Sequence, residues 1–477
     1  MNYASFNKTK IIATIGPSSN TKEKIIELAK AGVDVFRLNF SHGTHEQHQK
    51  VIDCIREINE SEGLNLSCLQ DLQGPKIRIG MVENNGVELE TGQKFAITIE
   101  EVLGTKELVS TVYQFLPKDV KIGETILLDD GKIELKVVGK DEKTVFTEVI
   151  YGGVLKSKKG MNLPQTEVSS PSLTEKDTDD LLFGLQNNLE WVALSFVRTA
   201  TDILLLKHIV QQKGKNPKII AKVERPEAIK NIDEIIKVSD GIMVARGDLG
   251  VEMDAEVVPI LQKMIVEKCK RAAKPVIIAT QMMESMIENP RPTRAETNDI
   301  ANAVVDGADT LMLSAETAAG KHPLLVIKSM AKTIQYIEEN EREIYHQNLE
   351  PDTQSKTFYS DSLIAAACNL ARQTKAKAIV GMTNSGYTAY RLASHRPEAD
   401  IFVFTSNQPL MNTLNLVWGV RTLFYDKFVS TDTTFNDAIE ILKEKGFVKK
   451  GDVVILLASM PIEQKQRTNA LKISVIE

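Results

Sequence analysis

The feature that most constrains the fold of this 477-residue chain is a regular alternation of short apolar runs with helical segments. Each run is rich in Val, Ile, Leu and Ala, ends in polar or charged residues, and is followed by a helical pattern. Three units precede residue 81 and five follow residue 164, and the runs are IIATIG, VDVFRLNF, LSCLQDL, WVALSF, KIIAKVE, GIMVAR, PVIIAT and TLMLSAE. Because parallel strands need helical crossovers and eight of them close around a filled interior, we predict an α/β fold with a (β/α)8 barrel. An open doubly wound sheet is the alternative.

Two other regions depart from this alternation. Residues 81–164 are rich in Val, Ile, Thr and Gly and contain the turn signals NNG, DDGK and YGG, which predict an inserted small β-barrel domain. The polar segment after Glu341 predicts a linker, and residues 355–477 return to alternating strands and helices, which predicts a C-terminal open α/β domain. The barrel domain would then comprise residues 1–80 and 165–345.

Composition excludes several functional classes. The chain has 58 Lys and Arg against 64 Asp and Glu, with both signs interspersed, so the charge balance does not favour a nucleic-acid partner. The four cysteines show no CxxC spacing and indicate reduced thiols. The first residues contain no signal-peptide apolar region, and no apolar run approaches the roughly 20 residues that span a bilayer. We therefore expect a cytoplasmic protein without a membrane partner.

The ends of the eight runs would meet at one end of the barrel, where barrel enzymes place their active sites. In the fifth run, side-chain alternation puts Ile220, Lys222 and Glu224 on one face. Glu224 and, from the neighbouring strand, Asp248 are suited to hold a divalent cation such as magnesium beside the Lys222 ammonium. A structural ion pair is the alternative. The polar residues at or just after the strand ends are Thr14, Arg37, Asn39, Asp71, Ser195, Lys222, Glu224, Asp248, Thr280 and Glu316.

The second run carries further candidates. The planar guanidinium of Arg37 matches two phosphate oxygens, although a salt bridge at the barrel rim would explain it equally well. Asn39 and Ser41, with Asp71 of the third run, offer oxygens for a monovalent cation or hydrogen bonds for the loop. A lone histidine such as His42 is more often structural than functional.

The remaining loops add positive charge and small polar groups. Lys76 and Arg78 in GPKIRIG extend a cationic pocket of the kind that two phosphorylated molecules require. The backbone N–H groups of VARGDLGVE are suited to a carboxylate or phosphate at a helix start. Thr280 would bind a carboxylate, relay a proton or cap a helix. Ser314 and Glu316 are expected to support neighbouring groups rather than to react.

Seven motifs stand in the order and spacing of one known family. They are TIGPSS, FRLNFSHG, DLQGPKIR, KVERPEAI, DGIMVARGDLGVE, ATQMMESM and MLSAETAAGKHP, and the chain resembles pyruvate kinases over its whole length. The resemblance implies a β-rich lid inserted after the third strand and a homotetramer. It also implies transfer of the phosphoryl group of phosphoenolpyruvate to ADP, giving pyruvate and ATP at the end of glycolysis, with magnesium or manganese.

The resemblance also implies residue roles. Glu224 and Asp248 would hold magnesium, Lys222 would stabilise the transferring phosphoryl group and the enolate, and Arg37 would bind phosphate. The other implied positions are Gly247 and Thr280 for the substrate carboxylate, Asn39, His42, Arg78 and Lys159 for the nucleotide, and Asn39, Ser41, Asp71 and Leu72 for a monovalent cation. The sequence leaves the proton donor to the enolate open, and Thr280 acting through water is the leading candidate.

Two departures from the family pattern change these expectations. Potassium-requiring members share the run Thr-Lys-Gly-Pro-Glu, whereas residues 72–76 here read LQGPK. Because the Lys76 ammonium would replace the monovalent cation, we predict activity without potassium. The loop TNSGYT resembles an effector loop for a sugar phosphate and comprises Thr383, Asn384, Ser385, Gly386, Tyr387 and Thr388. The partner loop SMPIEQKQRTN lacks a glycine-rich segment, so we expect an effector other than fructose 1,6-bisphosphate, or none.

Two other functions compete with this one. Another magnesium-dependent barrel enzyme acting on an enolate, such as an aldolase or lyase, is disfavoured by the insertion and by Arg78 and Lys159. A catalytically dead scaffold or metabolite sensor predicts loss of the central lysine or a carboxylate, but Lys222, Glu224 and Asp248 are all present.

Overall fold

The computed structural model describes residues 6–346, 349–464 and 466–477. The chain begins with β1 (Lys10–Thr14), α1 (Lys22–Lys30), β2 (Val35–Asn39), α2 (His45–Glu62) and β3 (Ser67–Asp71). Helix α2 begins where Thr44 and Gln47 form a reciprocal capping box, and it ends at Gly63, whose φ of +64° favours glycine.

The inserted module is built from short strands around its own apolar core, which includes residues from Ile79 to Val168. Its elements are β4 (Val87–Leu89), β5 (Lys94–Thr98), β6 (Leu108–Ser110), α3 (Leu116–Asp119), β7 (Thr125–Leu128), β8 (Ile133–Lys140), β9 (Thr144–Tyr151), β10 (Gly153–Leu155) and β11 (Met161–Asn162). A six-stranded sheet has the order β11-β7-β8-β9-β5-β6, and β4 pairs with β10.

The prediction of a small β-barrel holds only in a loose sense. The six-stranded sheet is open, with β6 and β11 at its edges. Isolated bridges from Arg78 to Gly160 and from Ile79 to Thr111 connect the ends of those two edge strands. The closure is therefore made by the entry segment of the module rather than by a continuous strand.

The second half of the barrel domain supplies five more strands. Its elements are α4 (Glu175–Gln186), β12 (Trp191–Leu194), α5 (Ala200–Gln212), β13 (Lys218–Val223), α6 (Pro226–Lys230), α7 (Ile232–Val238), β14 (Gly241–Ala245), α8 (Arg246–Glu252), α9 (Val258–Arg271), β15 (Val276–Ala279), α10 (Arg294–Asp306), β16 (Thr310–Leu313), α11 (Ala315–Ala318) and α12 (Pro323–Asn340). Thr174 caps α4, in a capping box with Asp177.

The eight strands form a closed parallel barrel in the order β1-β16-β15-β14-β13-β12-β3-β2. Closure follows from β1, which pairs with β2 on one side and β16 on the other. Along β13 the side chains alternate as predicted: Ile220 lies in the barrel interior, whereas Ile219, Ala221 and Val223 pack in the outer core. The predicted (β/α)8 barrel is confirmed, and the open-sheet alternative is wrong.

The C-terminal domain is an open five-stranded sheet in the order β19-β18-β17-β20-β21. Its elements are α13 (Phe358–Thr374), β17 (Ala378–Met382), α14 (Tyr387–Ser394), β18 (Asp400–Thr405), α15 (Gln408–Leu414), β19 (Val420–Phe424), α16 (Thr431–Glu444), β20 (Val453–Ala458) and β21 (Ala470–Val475). Only β21 runs antiparallel to its neighbour, so the predicted α/β architecture is confirmed.

The predicted linker is not uniformly polar. Ile344 and Tyr345 are buried in the core of the C-terminal domain, and the Tyr345 hydroxyl donates to the carbonyl of Glu338. The part of the linker at residues 347–348 lies outside the described residues. These two apolar side chains attach the end of the barrel domain to the C-terminal domain.

The C-terminal domain closes the amino end of the barrel. Leu416 joins the interior cluster of the barrel, the Trp191 indole donates to the carbonyl of Thr413 at 3.0 Å, and the Thr310 hydroxyl donates to the carbonyl of Leu416 at 2.9 Å. The carboxyl end, by contrast, faces the inserted module, which we call the lid. Within the described ranges, no helix combines the length and apolar composition needed to cross a membrane.

Candidate active site

Lys222, near the carboxyl end of β13, is the centre of the site. Its ammonium lies 2.9 Å from Glu224 Oε1 and 3.2 Å from Asp71 Oδ1, and it donates to Ser195 Oγ at 2.7 Å. The Ser195 hydroxyl in turn donates to the carbonyl of Leu72. Three neighbouring chain segments, at the ends of β3, β12 and β13, therefore fix one ammonium at the top of the barrel.

The charges of this cluster depend on one another. Burial would lower the pKa of Lys222, but the carboxylates of Asp71 and Glu224 outweigh it and raise that pKa above its ordinary value. Burial would raise the pKa of Asp71, but Lys222 and Arg37 bring it below its ordinary value. Burial raises the pKa of Glu224 more than Lys222 lowers it, and the charge of Asp248 adds to the rise. Lys222 is therefore cationic at neutral pH, while Glu224 and Asp248 repel each other.

Arg37 is part of the same buried network. Its Nε donates to Asp71 Oδ2 at 2.6 Å, and its Nη1 donates to Thr14 Oγ1 at 3.0 Å. Asn39, opposite Asp71 in the β2–β3 register, accepts from the backbone N–H of Ser41 through Oδ1. The salt bridge proposed as the alternative for Arg37 and the loop hydrogen bond proposed for Asn39 are thus both present. The phosphate role of Arg37 and the cation role of Asn39 stay predictions.

The prediction that Asp248 lies on a strand is wrong. It lies in the first turn of α8, because β14 ends at Ala245 and the chain turns into a helix there. Beside it, the Gly247 N–H donates to Thr280 Oγ1 at 2.7 Å, and the Thr280 hydroxyl donates to the carbonyl of Ala279 at 2.6 Å. Gly247 and Thr280 are therefore brought together, as their shared predicted role requires.

Thr280 has a backbone conformation that the sequence did not reveal. Its φ of +70° lies in the left-handed region, which β-branched residues rarely adopt, and Gln281 follows at +55°. Such conformations concentrate at functional sites, where the surrounding structure holds them. Nothing in the residue types signals this strain, since a threonine after an apolar strand is usually an ordinary helix cap.

The predicted nucleotide-side residues are not gathered around Lys222. The Lys159 ammonium pairs with Asp129 of the lid at 2.8 Å, and Arg78 Nη1 donates to the carbonyl of Lys158 at 3.0 Å. The side chain of His42 is exposed on the loop after β2. Lys159 and Arg78 therefore contact groups of the lid in this structure. Their predicted contacts with a nucleotide would require its phosphates to reach the lid.

Lys76 lies at the junction of barrel and lid, where its Cε approaches Gly160. Within the part of the chain that the structure describes, it forms no ion pair, and Asp71 is held by Arg37 and Lys222 instead. Its predicted replacement of a monovalent cation stays a prediction.

Sequence reasoning missed one group that orients the site. The backbone N–H of Phe196 donates to Glu224 Oε2 at 2.7 Å, and Phe196 has a φ of +54°. A backbone donor leaves no trace in residue type. Glu316, expected to support its neighbours, accepts from the backbone N–H groups of Met283 and Ser314.

The predicted effector loop lies at a separate site in the C-terminal domain. Gly386, with φ of +84°, precedes α14, and its N–H donates to Thr383 Oγ1 at 3.0 Å. A cavity of about 180 Å³ opens here, and its lining includes Thr383, Asn384, Ser385, Tyr387, Thr388, Ser459, Gln466, Arg467 and Thr468. The partner loop therefore meets the effector loop, although its Lys465 lies outside the described residues.

The acidic groups at the barrel end limit what kind of metal site is possible. Across the described ranges, the structure contains no group of three or more His, Cys, Asp or Glu side chains arranged to hold a metal ion. Glu224 and Asp248 are thus a two-carboxylate set, which suits a magnesium ion that takes its other oxygens from water and substrate.

Comparison with known proteins decides the family. Two family models match the chain, "Pyruvate kinase, barrel domain" over residues 6–327 and "Pyruvate kinase, alpha/beta domain" over residues 361–474. A pyruvate kinase from Geobacillus stearothermophilus is 44% identical over 476 residues, which are 98% of this chain and 80% of the relative. The chain belongs to the pyruvate kinase family.

Two further relatives agree with this assignment. A pyruvate kinase from Sporosarcina psychrophila is 42% identical over 481 residues, covering 98% of this chain and 80% of the relative. A crystal structure of a pyruvate kinase from Cryptosporidium parvum matches with a TM-score of 0.92 and 36% identity, over 99% of this chain and 96% of the other. The family predicted from the seven motifs is confirmed. As a member of the pyruvate kinase family, the chain is a phosphotransferase, and the lyase and scaffold hypotheses are wrong.

Proposed function

We propose that this chain transfers the phosphoryl group of phosphoenolpyruvate to ADP, giving pyruvate and ATP as the last step of glycolysis in the cytoplasm. The observation that carries the proposal is the Lys222 ammonium, held between Glu224 and Asp71 at the carboxyl end of the barrel. A fixed cation at this place stabilises negative charge that moves between oxygens, since it needs no reorganisation when the reaction occurs.

Glu224 and Asp248 would hold magnesium or manganese. Both are acidic oxygen donors, and the pKa of Glu224 is raised by its burial and by the charge of Asp248, so a dication would relieve their repulsion. When bound, the ion would neutralise negative oxygens of the substrate. The N–H of Phe196 keeps Glu224 oriented for this role.

Lys222 and Arg37 would bind the phosphoryl group that is transferred. Among the described residues, Arg37 makes its side-chain hydrogen bonds through Nε to Asp71 and Nη1 to Thr14, so Nη2 would serve the phosphate. Lys222 would also stabilise the enolate oxygen left after the P–O bond breaks. Its two carboxylate neighbours keep it charged for that purpose.

Gly247 and Thr280 would bind the carboxylate of the substrate. The Gly247 N–H already has an oxygen acceptor in Thr280 Oγ1, and a carboxylate oxygen of the substrate would take its place. The enolate then takes a proton to become pyruvate, and Thr280, acting through a water molecule, is the proposed donor.

Asn39, His42, Arg78 and Lys159 would contact the nucleotide. Arg78 lies at the base of the lid, and Lys159 lies on its returning segment. The phosphates of ADP would replace Asp129 as the partner of Lys159 and would draw the lid over the site. Closure of this kind excludes water, which would otherwise compete for the phosphoryl group.

A coupled assay tests the proposed reaction. Pyruvate formed from phosphoenolpyruvate, ADP and magnesium is reduced by lactate dehydrogenase, and loss of NADH absorbance is followed. We expect a rate that disappears when ADP or the divalent ion is omitted. Pyruvate formation at the same rate without ADP would contradict the proposal.

The lysine at position 76 is the basis for a second part of the proposal, activity without potassium. Asn39, Ser41, Asp71 and Leu72 would form the monovalent-cation pocket, with the Lys76 ammonium in place of the ion. In a sodium-free assay balanced with a tetraalkylammonium salt, we expect potassium to change the rate little. Lys76→Glu should acquire potassium dependence, whereas Lys156→Glu, on an exposed lid residue, should not. If the parent enzyme depended on potassium as strongly as Lys76→Glu does, Lys76 would have no such role.

We also propose a phosphorylated effector other than fructose 1,6-bisphosphate at the cavity next to Thr383–Thr388. Hydroxyl groups, backbone N–H groups and Arg467 around this cavity support it. Candidate sugar phosphates should activate the enzyme at subsaturating phosphoenolpyruvate, and Ser385→Asp should abolish the response by charge repulsion. Activation that persists in Ser385→Asp would place the effector elsewhere.

The family resemblance supports a homotetramer. Light scattering of the purified chain tests this, and a mass near that of one or two copies would contradict it.

A further inference from the structure

Two buried side chains and one partly buried side chain connect the lid to the barrel at the point where the two predicted metal ligands lie. Asn162, on the lid strand β11, donates through Nδ2 to Glu252 Oε1 at 2.8 Å. Glu252 is the last residue of α8, and its Oε1 lies 3.6 Å from Nη1 of Arg225. We call Arg225, Glu252 and Asn162 the hinge triad.

Arg225 also holds the returning segment of the lid. Its Nη2 donates to the carbonyl of Thr166 at 3.1 Å and approaches the carbonyl of Leu163 at 3.5 Å, while its Nε donates to Glu227. Arg225 is 6% exposed and Glu252 4% exposed. A buried guanidinium with several backbone acceptors fixes geometry, because its planar fork accepts only one arrangement of partners.

The hinge triad is attached to the predicted metal ligands by short pieces of chain. Arg225 follows Glu224 directly, and Glu252 stands one helical turn after Asp248 in α8. Asp248, Glu252, Arg225 and Asn162 also line one small cavity of about 30 Å³. A shift of the lid strand therefore pulls on both elements that carry the carboxylates.

One acceptor in the hinge triad is unused. Among the described residues nothing hydrogen-bonds to Glu252 Oε2, although this atom is buried. Burial raises the pKa of Glu252, and Arg225 and Asn162 only partly oppose the rise. An unsatisfied buried oxygen is costly, so a lid position that supplied it with a donor would be favoured.

We propose that Arg225, Glu252 and Asn162 are positioning residues that couple the position of the lid to the arrangement of Glu224 and Asp248. The inference rests on the proposed function, in which the lid carries nucleotide contacts and the two carboxylates carry the metal. Nucleotide binding at the lid and metal binding at the barrel end are then linked through the hinge triad rather than independent.

The main variant is Asn162→Ala, which removes the lid-side hydrogen bond to a carboxylate. We expect the KM for ADP to rise roughly 10-fold, the effect of losing one such bond. The KM for phosphoenolpyruvate should change less than about 2-fold, whereas the affinity of the free enzyme for Mn²⁺, measured by electron paramagnetic resonance, should fall, because lid position and metal binding are then no longer linked. Gln93→Ala is the matched control, since Gln93 makes its hydrogen bonds to Glu90 and Lys106 within the lid. It should behave like the parent.

A double-mutant cycle separates coupling from simple loss of lid stability. Glu252→Gln keeps an acceptor for Asn162 but removes the charge that faces Arg225. If the hinge triad acts as a unit, the effects of Asn162→Ala and Glu252→Gln on the KM for ADP should fall short of additive. Strictly additive effects, or a change in Asn162→Ala no larger than in Gln93→Ala, would overturn the proposal. A uniform loss of activity that follows a lower melting temperature would overturn it as well.

Limited proteolysis of the lid provides a readout that does not depend on catalysis. In the presence of Mn²⁺, cleavage within residues 81–164 should slow in the parent and in Gln93→Ala but not in Asn162→Ala. This measurement tests the hinge triad even if the coupled assay fails for the parent enzyme. Equal protection of all three proteins would contradict the coupling.

Discussion

The barrel buries a lysine near each end, and the two lysines have opposite electrostatic settings. Lys10 begins β1 at the end covered by the C-terminal domain, and its ammonium has one carboxylate partner, Asp34, at 3.3 Å. Burial lowers the pKa of Lys10 more than Asp34 raises it. Lys222, at the lid end, has two carboxylate partners that together outweigh burial and raise its pKa. The nearby carboxylates therefore outweigh burial at Lys222 but not at Lys10.

The partners of the two lysines also differ in what else they contact. Asp34 accepts from the backbone N–H of Ile11, and its carbonyl accepts from Asn415 of the C-terminal domain. Its charge is committed to holding chain segments together. At the lid end, the ammonium and carboxylates lie at the carboxyl end of the strands, where the proposed substrate would bind. In barrel enzymes the amino end of the strands serves stability and the carboxyl end serves chemistry, and these two lysines follow that division.

The largest expected effect comes from replacing each lysine by a side chain of similar length. Lys222→Met should lower kcat by at least about 10³-fold, because it removes a preorganised cation from the site of charge transfer. Lys10→Met should leave kcat within about 3-fold of the parent. Steady-state rates in the coupled assay measure both.

Circular dichroism must show that both variants are folded at the assay temperature. If Lys222→Met formed ATP at the parent rate, the lid end would have no chemical role for this lysine, and the contrast with Lys10 would be lost. A large loss of kcat in folded Lys10→Met would also contradict the comparison, because the amino end would then affect the chemistry.

The second prediction removes one hydroxyl group at each end. Thr280→Val should lower kcat by about 10²-fold, since it removes the proposed proton relay and the acceptor for the Gly247 N–H. Thr310→Val at the opposite end leaves the carbonyl of Leu416 without its donor and should cost about 1–3 kcal/mol of stability with little change in kcat.

Thr280→Ser, which keeps the hydroxyl, should recover most of the rate. A solvent-isotope effect on kcat that disappears in Thr280→Val but returns in Thr280→Ser would assign the hydroxyl to proton transfer. Full activity of Thr280→Val would remove it from the mechanism.

The sequence predicts the lid end of the barrel better than the amino end. Lys222, Glu224 and Asp71 follow apolar runs, and parallel strands bring their ends together, so their proximity follows from the period of the pattern. At the amino end, the C-terminal domain brings Thr413 to Trp191 and Leu416 to Thr310, and the residues of each pair are more than 100 positions apart in the sequence. No local pattern marks such contacts, because they depend on how two separately folded domains meet.

Within the site, sequence predicts residue types but not backbone conformation or alternative partners. The positive φ of Thr280 and the orienting N–H of Phe196 are backbone properties that side-chain identity does not encode. The pairing of Lys159 with Asp129 was equally invisible, since both lie in a strand-rich module whose register is set by tertiary packing. Asp248 was placed on a strand because GIMVAR is apolar up to the turn, whereas the structure begins a helix at Arg246.

The third prediction concerns stability at the amino end. Arg396, from the C-terminal domain, donates to Asp309 at 3.0 Å and to the carbonyl of Gly307 at 2.6 Å, and it is almost fully buried. Arg396→Ala leaves the Asp309 carboxylate buried without this partner and should cost about 3–5 kcal/mol. Urea denaturation followed by Trp fluorescence measures the loss.

Lys268→Ala, which breaks an exposed pair with Asp233, is the control and should change stability little. The KM for phosphoenolpyruvate of folded Arg396→Ala should match the parent. If catalysis fell while stability did not, the amino end would take part in function, and the division between the two ends would be wrong.

The smallest expected effect is a pH dependence at the rim of the lid end. The His48 ring stacks on Phe40 at 4.2 Å, and its Nε2 lies 3.0 Å from the carbonyl of His42, so Nε2 carries the hydrogen. Burial lowers the pKa of His48 below its ordinary value of 6.5, and the charges of His45 and Lys176 lower it further. The His42 carbonyl and Asp180 raise this pKa but do not offset the burial. The folded state therefore binds this proton less readily than the unfolded state. The stability that neutral His48 contributes is complete above pH 6.5 and declines as pH falls from there towards the lower folded pKa.

His48→Phe should keep the stack on Phe40 without the titratable ring. We expect the melting temperature of the parent to fall more between pH 7.5 and 5.5 than that of His48→Phe, with similar values at the higher pH; these pH values are about one unit either side of the ordinary histidine pKa. His208→Phe, at a histidine on α5 that contacts Gln212, serves as the control and should follow the parent curve. Parallel curves for the parent and His48→Phe would mean that burial at this rim does not couple protonation to folding, and that the charge contrast between the two ends is confined to the barrel interior.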